Sequence, residues 1–185
     1  MVERISAILK KNEKILNSKD ECGIVFYENK NLILHQVSAW PDSLVSVGEK
    51  VSSELNLEMY PQPCKAVQST DVAMLRIEPL KWWVLGSTIN TMPIEKGSTL
   101  DISHSRTHIK ITGDKTKIFL NRFLPIDFRE HSFPVNTVAS TTFHHVSVTI
   151  WRSKNYYEIF IPRAFASSLW ELMLESASQF GYEIK

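Results

Sequence analysis

The sequence predicts an α+β fold built on antiparallel sheet, and three observations predict it. Alternating strand patterns come in neighbouring pairs joined by short polar turns rather than by helices. The order along the chain is strands, helix, strands, helix, without the regular β–α–β alternation of a doubly wound fold. The chain has only six glycines and no Gly-rich phosphate-binding motif, which argues against a Rossmann unit. A length of 185 residues fits one domain, 1–185, with no repeat of fixed period.

Ile5, Ile8, Leu9 and Leu16 recur at helical spacing among Lys10, Lys11, Glu13 and Lys14. Residues 1–20 are therefore expected to be an amphipathic helix or an arm that docks on a partner. Residues 23–27 and 32–34 flank the polar turn 28–31 and have the pattern of a hairpin. Pro41 and Asp42 interrupt, and Ser43 is placed to cap a helix with the stripe Leu44, Val47, Val51 and Leu55. Gly48 weakens that helix by about 1 kcal/mol relative to alanine. Pro61 and Pro63 mark a loop.

Residues 73–77 and 81–85 form two strands around the Glu78-Pro79 turn. Residues 86–96 carry no clear period; a short helix closed by Gly97 is the nearest pattern. Thr107, Ile109 and Ile111 alternate with Arg106, His108 and Lys110, the period of a half-buried strand. Gly113 ends it and Asp114 stands where an N-cap would. Ile118, Phe119 and Phe123 make the inward side of a short helix that Pro125 stops. Val146, Val148 and Ile150 alternate again, and 156–161 is the returning strand. The last helix has Pro162 near its first position and a stripe of Phe165, Leu169, Leu172, Met173 and Phe180, with Gly181 just past its end.

Lys and Arg number 21 against 20 Asp and Glu, so no global field steers the protein toward nucleic acid or anionic membrane. Cys22 and Cys64 lie far apart and show no metal or redox spacing, which suits a reducing compartment. The first residues lack the basic-then-apolar order of a signal peptide, and no apolar run approaches the roughly 20 residues that span a bilayer. A cytoplasmic protein with no membrane partner is expected.

Six histidines invite a metal hypothesis. His104 and His108 would share a strand face and His144 and His145 would point to opposite faces, but no cysteine or carboxylate completes a tetrahedral set with them. His104 follows Asp101 and Ser103 in a turn, where local hydrogen bonding is the simpler role. Arg106, His108, Lys110, Lys115, Lys117 and Arg122 form a basic neighbourhood. Without interleaved aromatics it reads as a solvated surface rather than a nucleic-acid site. Trp82 and Trp83 are consecutive on a strand, so one should face the core and the other outward. Trp40, Trp151 or Trp170 would suit a protein interface if exposed. No nucleophile elbow or phosphate loop is present, and Cys64 has no base nearby in sequence. No catalytic, cofactor-binding or metal-ligating residue is assigned.

The strongest signal is the stretch from Leu100 to Asp127: a D-I-S-H turn, an alternating strand, a Gly-Asp corner, and a short helix running into L-N-R and an aspartate. It resembles the folate-binding domain of glycine-cleavage T-protein and its relatives. The matching residues are Asp101, Ser103, His104, Gly113, Asp114, Leu120, Asn121, Arg122 and Asp127, with Arg106 inside the same turn and strand. Residues 73–83, 123–127, Phe133-Pro134 and 161–172 (I-P-R-A-F-A-S-S-L-W-E-L) are similar to the gamma subunit of heterotetrameric sarcosine oxidase. The resemblance is best over 72–181.

It implies an aminomethyltransferase folate-binding-domain-like fold, with helices packed on antiparallel sheets. It also implies a non-catalytic gamma subunit of an assembly that demethylates sarcosine to glycine, with peroxide and a one-carbon unit passed to tetrahydrofolate. FAD, FMN, NAD, zinc and tetrahydrofolate would then sit on the partner alpha, beta and delta subunits and none on this chain. Where the aminomethyltransferases carry a working aspartate at a strand entry, this chain has Thr142-Phe-His-His-Val146. The motif residues would then serve structure or an interface. A stand-alone folate-binding module or aminomethyltransferase-like protein is the alternative.

Overall fold

The computed structural model describes residues 5–8, 14–16 and 21–185. Among them the strands are β1 (Lys14–Ile15), β2 (Ile24–Glu28), β3 (Leu34–Ala39), β4 (Ala66–Gln68), β5 (Ala73–Glu78) and β6 (Lys81–Leu85), then β7 (Gly97–Asp101), β8 (Arg106–Thr112), β9 (Val138–Phe143), β10 (Val146–Arg152), β11 (Tyr157–Pro162) and β12 (Tyr182–Ile184). The helices are α1 (Leu44–Glu54), α2 (Thr116–Leu120) and α3 (Ala166–Ala177). Contacts divide the chain into two compact units. The first comprises Met1–Asn31, Ser105–Val135 and Ser140–Lys185; the second comprises Leu32–His104 and Asn136–Ala139.

The first unit is built on a seven-stranded sheet of order β1-β12-β2-β8-β11-β10-β9. The β2–β8, β8–β11 and β10–β11 pairs are antiparallel, whereas β12 runs parallel to β2. Register puts Phe26 opposite Ile111, and Ile159 opposite both Ile109 and Ile150. Residues two apart on a strand share a face, so these side chains make one apolar surface. α3 supplies a matching stripe at helical spacing: Ala166, Leu169, Trp170, Met173, Leu174 and Ala177 are all buried. The Phe26 ring meets Trp170 at 5.0 Å and Phe119 of α2 at 5.7 Å, both edge to face. Aromatic pairs of this geometry add about 0.5–1.5 kcal/mol beyond the area they bury.

The second unit holds a five-stranded sheet of order β4-β5-β6-β3-β7, antiparallel at each of its four pairs. α1 lays Val47 and Val51 on Val37, Met74, Trp82 and Val84. Gly48 sits in this helix because its Cα faces the Tyr60 ring: a Cβ there would lie 2.7 Å from that ring.

The α+β fold with two antiparallel-rich sheets stands as the sequence predicts, and several elements are corrected. Residues 23–34 are not a hairpin, because β2 pairs with β8 and β12 while β3 pairs with β6 and β7. Lys14–Ile15 are a strand on β12, not helix; most of the expected N-terminal helix lies outside the described residues. Residues 86–96 form no helix, and Gly97 opens β7 instead. Trp82 and Trp83 are both buried, so two opposite faces of β6 are covered. Ser43 does precede α1, but its hydroxyl accepts from Trp40 N and donates to Lys96 O rather than capping the helix. Pro162 ends β11, and a single 3₁₀ turn (Arg163–Phe165) leads into α3. Phe165 and Ile118, expected in the core, are exposed, whereas Trp170, Leu174 and Leu124 are buried.

Candidate functional site

The motif residues fall in both units. In the second unit, Asp101 ends β7 and its Oδ1 accepts the Ser103 backbone N–H at 2.9 Å, a local turn in which a carboxylate replaces a backbone acceptor. Ser103 is buried, and its hydroxyl both accepts from Leu34 N (2.9 Å) and donates to Leu34 O (3.3 Å). The hydrogen bonds from Ser103 hold the Asp101 carboxyl below the usual range; slight burial opposes them, and His35 and His104 add a smaller attraction. His104 itself is exposed in the turn and not on a strand face with His108.

In the first unit, Gly113 ends β8 with φ +121°, and a Cβ there would lie 2.2 Å from Gly23 O. Lys115 N donates to Gly23 O and Thr116 N to Gly113 O. Gly113 O thus takes Thr116 N, a donor that a cap at Asp114 would serve; Lys115 occupies the cap position of α2, and Asp114 is exposed with its carboxylate 3.1 Å from the Lys115 ammonium. Asn121 closes α2. Arg122 reaches the end of α3, donating to Ser176 Oγ (3.1 Å) and Gln179 Oε1 (3.0 Å) with its guanidinium 4.3 Å from the Phe180 ring centre.

Asp127 accepts from Arg129 N (3.0 Å), Arg129 Nε (2.9 Å), Arg129 Nη2 (2.7 Å) and Ser132 Oγ (2.8 Å). These bonds, the Arg129 side chain foremost, push its carboxyl far below the usual range. Arg106 is half-buried, and burial lowers its guanidinium.

The basic neighbourhood does not survive as a patch. His108 is fully buried, Lys117 lies 3.5 Å from Glu130, and Lys115 and Arg122 have the partners given above. His144 and His145 form the turn between β9 and β10, His144 at φ +52°, and not adjacent positions on a strand. The segment Thr142–Val146 is thus a hairpin corner. Cys22 and Cys64 are free thiols. Among the described residues no three His, Cys, Asp or Glu side chains cluster as metal ligands, and no helix is long and apolar enough to cross a membrane.

One pair escaped sequence reasoning. Glu158 on β11 and His108 on β8 are both buried, with Nε2 to Oε2 at 2.8 Å. The imidazole stacks on Phe160 at 4.3 Å, and its Nδ1 lies 3.2 Å from Asn29 Nδ2. Burial pushes the Glu158 carboxyl up, but the His108 hydrogen bond and charge, with Ser153 and Lys110, outweigh it and hold it below the usual range. The signal was a single carboxylate inside an otherwise apolar strand, since such a group is buried only with a partner.

Three concavities lie within single units. A cavity of about 100 Å³ in the first is lined by Gly113, Thr116, Arg152 and Tyr157, among others. A cleft of about 320 Å³ has Tyr27, Lys110 and Tyr156, and in the second unit a groove of about 260 Å³ runs between Val47, Lys50, Met92 and Lys96.

No family model matches the chain. Curated proteins do: it is 28% identical over 90 residues to the sarcosine oxidase subunit gamma of Corynebacterium sp. (strain P-1), covering 48% of this chain and 44% of that protein. It is 26% identical over 91 residues to the sarcosine oxidase subunit gamma of an Arthrobacter species, covering 49% and 45%. The chain thus spans about half the length of the curated relatives it matches. Among solved structures, a chain of heterotetrameric sarcosine oxidase from Corynebacterium sp. U-96 superposes with TM-score 0.73 at 16% identity over 85% of both chains. Aminomethyltransferase T of the Bartonella henselae glycine cleavage system superposes with TM-score 0.58 at 10% identity, over 89% of this chain and 48% of that one. The chain is similar in sequence to sarcosine oxidase gamma subunits and shares the aminomethyltransferase-type fold.

Proposed function

We propose that this chain is the non-catalytic gamma subunit of a heterotetrameric sarcosine oxidase, which demethylates sarcosine oxidatively. The similarity to curated gamma subunits carries this reading. The fate of the motif carboxylates supports its non-catalytic part. Asp101 is bonded into its own turn, Asp127 is filled by Arg129 and Ser132, and the corner Thr142–Val146 carries no carboxylate. A carboxylate held in its own loop by such bonds is a poorer acceptor for a substrate proton, because they stabilise its charged form. The motif's side chains then serve to shape two turns and a helix end.

In this reading the alpha, beta and delta subunits are the partners, in the cytoplasm, and FAD, FMN, NAD, zinc and tetrahydrofolate reside on them. The tagged chain, isolated from its source under mild conditions, should bring down a yellow complex that makes peroxide from sarcosine. Recovery of the chain without flavoprotein overturns the reading. If that chain alone then quenched its tryptophan fluorescence saturably with tetrahydrofolate, the stand-alone folate module would replace it.

A further inference from the structure

Two large apolar side chains of the second unit face water side by side. Trp40 is 50% exposed and Ile94 is 77% exposed, although Trp82 and Trp83 of the same unit are buried. The Trp40 indole N–H donates to Ile94 O at 2.8 Å, so the ring's polar edge is satisfied and its apolar surface is left outward. The backbone beneath is tied down. Trp40 N donates to Ser43 Oγ (3.1 Å) and Lys96 O (3.3 Å), while Lys96 N and Gly97 N both donate to Pro93 O. A rigid aromatic anchor of this kind loses little entropy on binding. The adjoining groove of about 260 Å³ has buried Val47 and Met92 in its wall, with Ser46 and Pro93. Its charged lining is Lys50 and Lys96, with no carboxylate. Neither lysine has a carboxylate partner among the described residues.

We infer that this face docks a partner subunit through a surface segment that presents an apolar side chain flanked by carboxylates. The apolar group fills the groove beside Trp40 and Ile94, and the acids pair with Lys50 and Lys96. The charge pattern selects this occupant over a second copy, because a two-fold contact centred on the groove would bring Lys50 and Lys96 against their own equivalents. The inference rests on the gamma-subunit reading and adds the face used and the chemistry of the partner.

The test is the same mild isolation, read as flavin recovered per mole of tagged chain. One variant combines Trp40→Ala with Ile94→Ser; a second combines Lys50→Glu with Lys96→Glu, at exposed positions; thermal melts confirm that each folds. Both are expected to cut flavin recovery to under about a tenth of wild type, as truncation of an interface tryptophan does. Wild-type recovery should also fall as salt rises. Full flavin recovery by both folded variants, beside a wild type that brings down the yellow complex, overturns the inference and leaves the gamma-subunit reading standing. A wild-type homodimer in sedimentation that the variants dissolve overturns it in favour of a second copy. A wild type without flavoprotein removes the gamma-subunit reading and the inference together. Should the apolar variant fail to fold, the lysine variant decides.

Discussion

Glu158 and Asp127 are two carboxylates of the first unit, and both are held below their ordinary range by hydrogen bonds. Asp127 has the fuller set of partners, with a forked Arg129 side chain, a backbone N–H and Ser132. Glu158 has chiefly the His108 imidazole at 2.8 Å. A count of bonds would rank Asp127 as the more important. Burial reverses the ranking. Asp127 and Arg129 lie in water, which replaces whatever bond is lost, and exposed pairs of this kind contribute little. Glu158 and His108 are sealed in the sheet, where water does not replace the lost bond.

The largest effect that this contrast predicts is at Glu158. Replacement by alanine leaves His108 buried without its carboxylate and should destabilise the fold by about 3–5 kcal/mol in chemical denaturation at pH 7. The pH dependence has a definite sign. Because the folded carboxyl lies below the ordinary value of 4.5, its contribution is complete above that value and is lost as pH falls through the lower, folded one. Glu158→Gln should therefore flatten the acid limb of the stability profile. A change under about 1 kcal/mol for the alanine variant would show that burial does not set the energy of the pair.

Asp127 was readable in the sequence and Glu158 was not, for a physical reason. Periodicity and turn chemistry are local, so β5 and β6, β10 and β11, α1 and α3 could be drawn from short windows, as could the Asp101–Ser103 turn. Strand pairing across the sheet is not local. Gly23 to Leu34 has the pattern of a hairpin, yet β2 and β3 part to different sheets because their partners come from residues 81–112 and 182–184. Alternation likewise says that Trp82 and Trp83 face opposite ways, not that both faces are covered. The same blindness turned His108 into half of a solvated strand. Asp114 failed differently: it has the chemistry of a cap, but Gly113 O takes the Thr116 N–H that such a cap would serve.

Gly113 sharpens the comparison with an intermediate effect that involves no charge. At φ +121° and 2.2 Å from Gly23 O, a Cβ meets backbone on both counts. Gly113→Ala should destabilise by about 1–3 kcal/mol, the usual cost of a side chain in a disfavoured backbone region, read by the same denaturation. An unchanged midpoint would mean that the end of β8 yields freely, and that the motif glycine sets no constraint on the approach of residue 23.

The smallest effect belongs to Asp127, and it is the one that discriminates most sharply. Asparagine keeps an oxygen for the Arg129 backbone N–H, but its NH2 cannot accept the bonds that Oδ2 takes from the Arg129 fork and Ser132, so the charge and those bonds go together. Asp127→Asn should leave the melting temperature within error at low and high salt alike, since water and ions already screen the site. The carboxyl's lowered range gives its contribution the same sign as that of Glu158, present at neutral pH and lost in acid. The acid limb should nevertheless stay where it is in Asp127→Asn and flatten in Glu158→Gln. If the two variants moved that limb equally, the number of hydrogen-bond partners rather than exclusion of water would govern what a carboxylate contributes to this fold, and the ranking of the two sites would collapse.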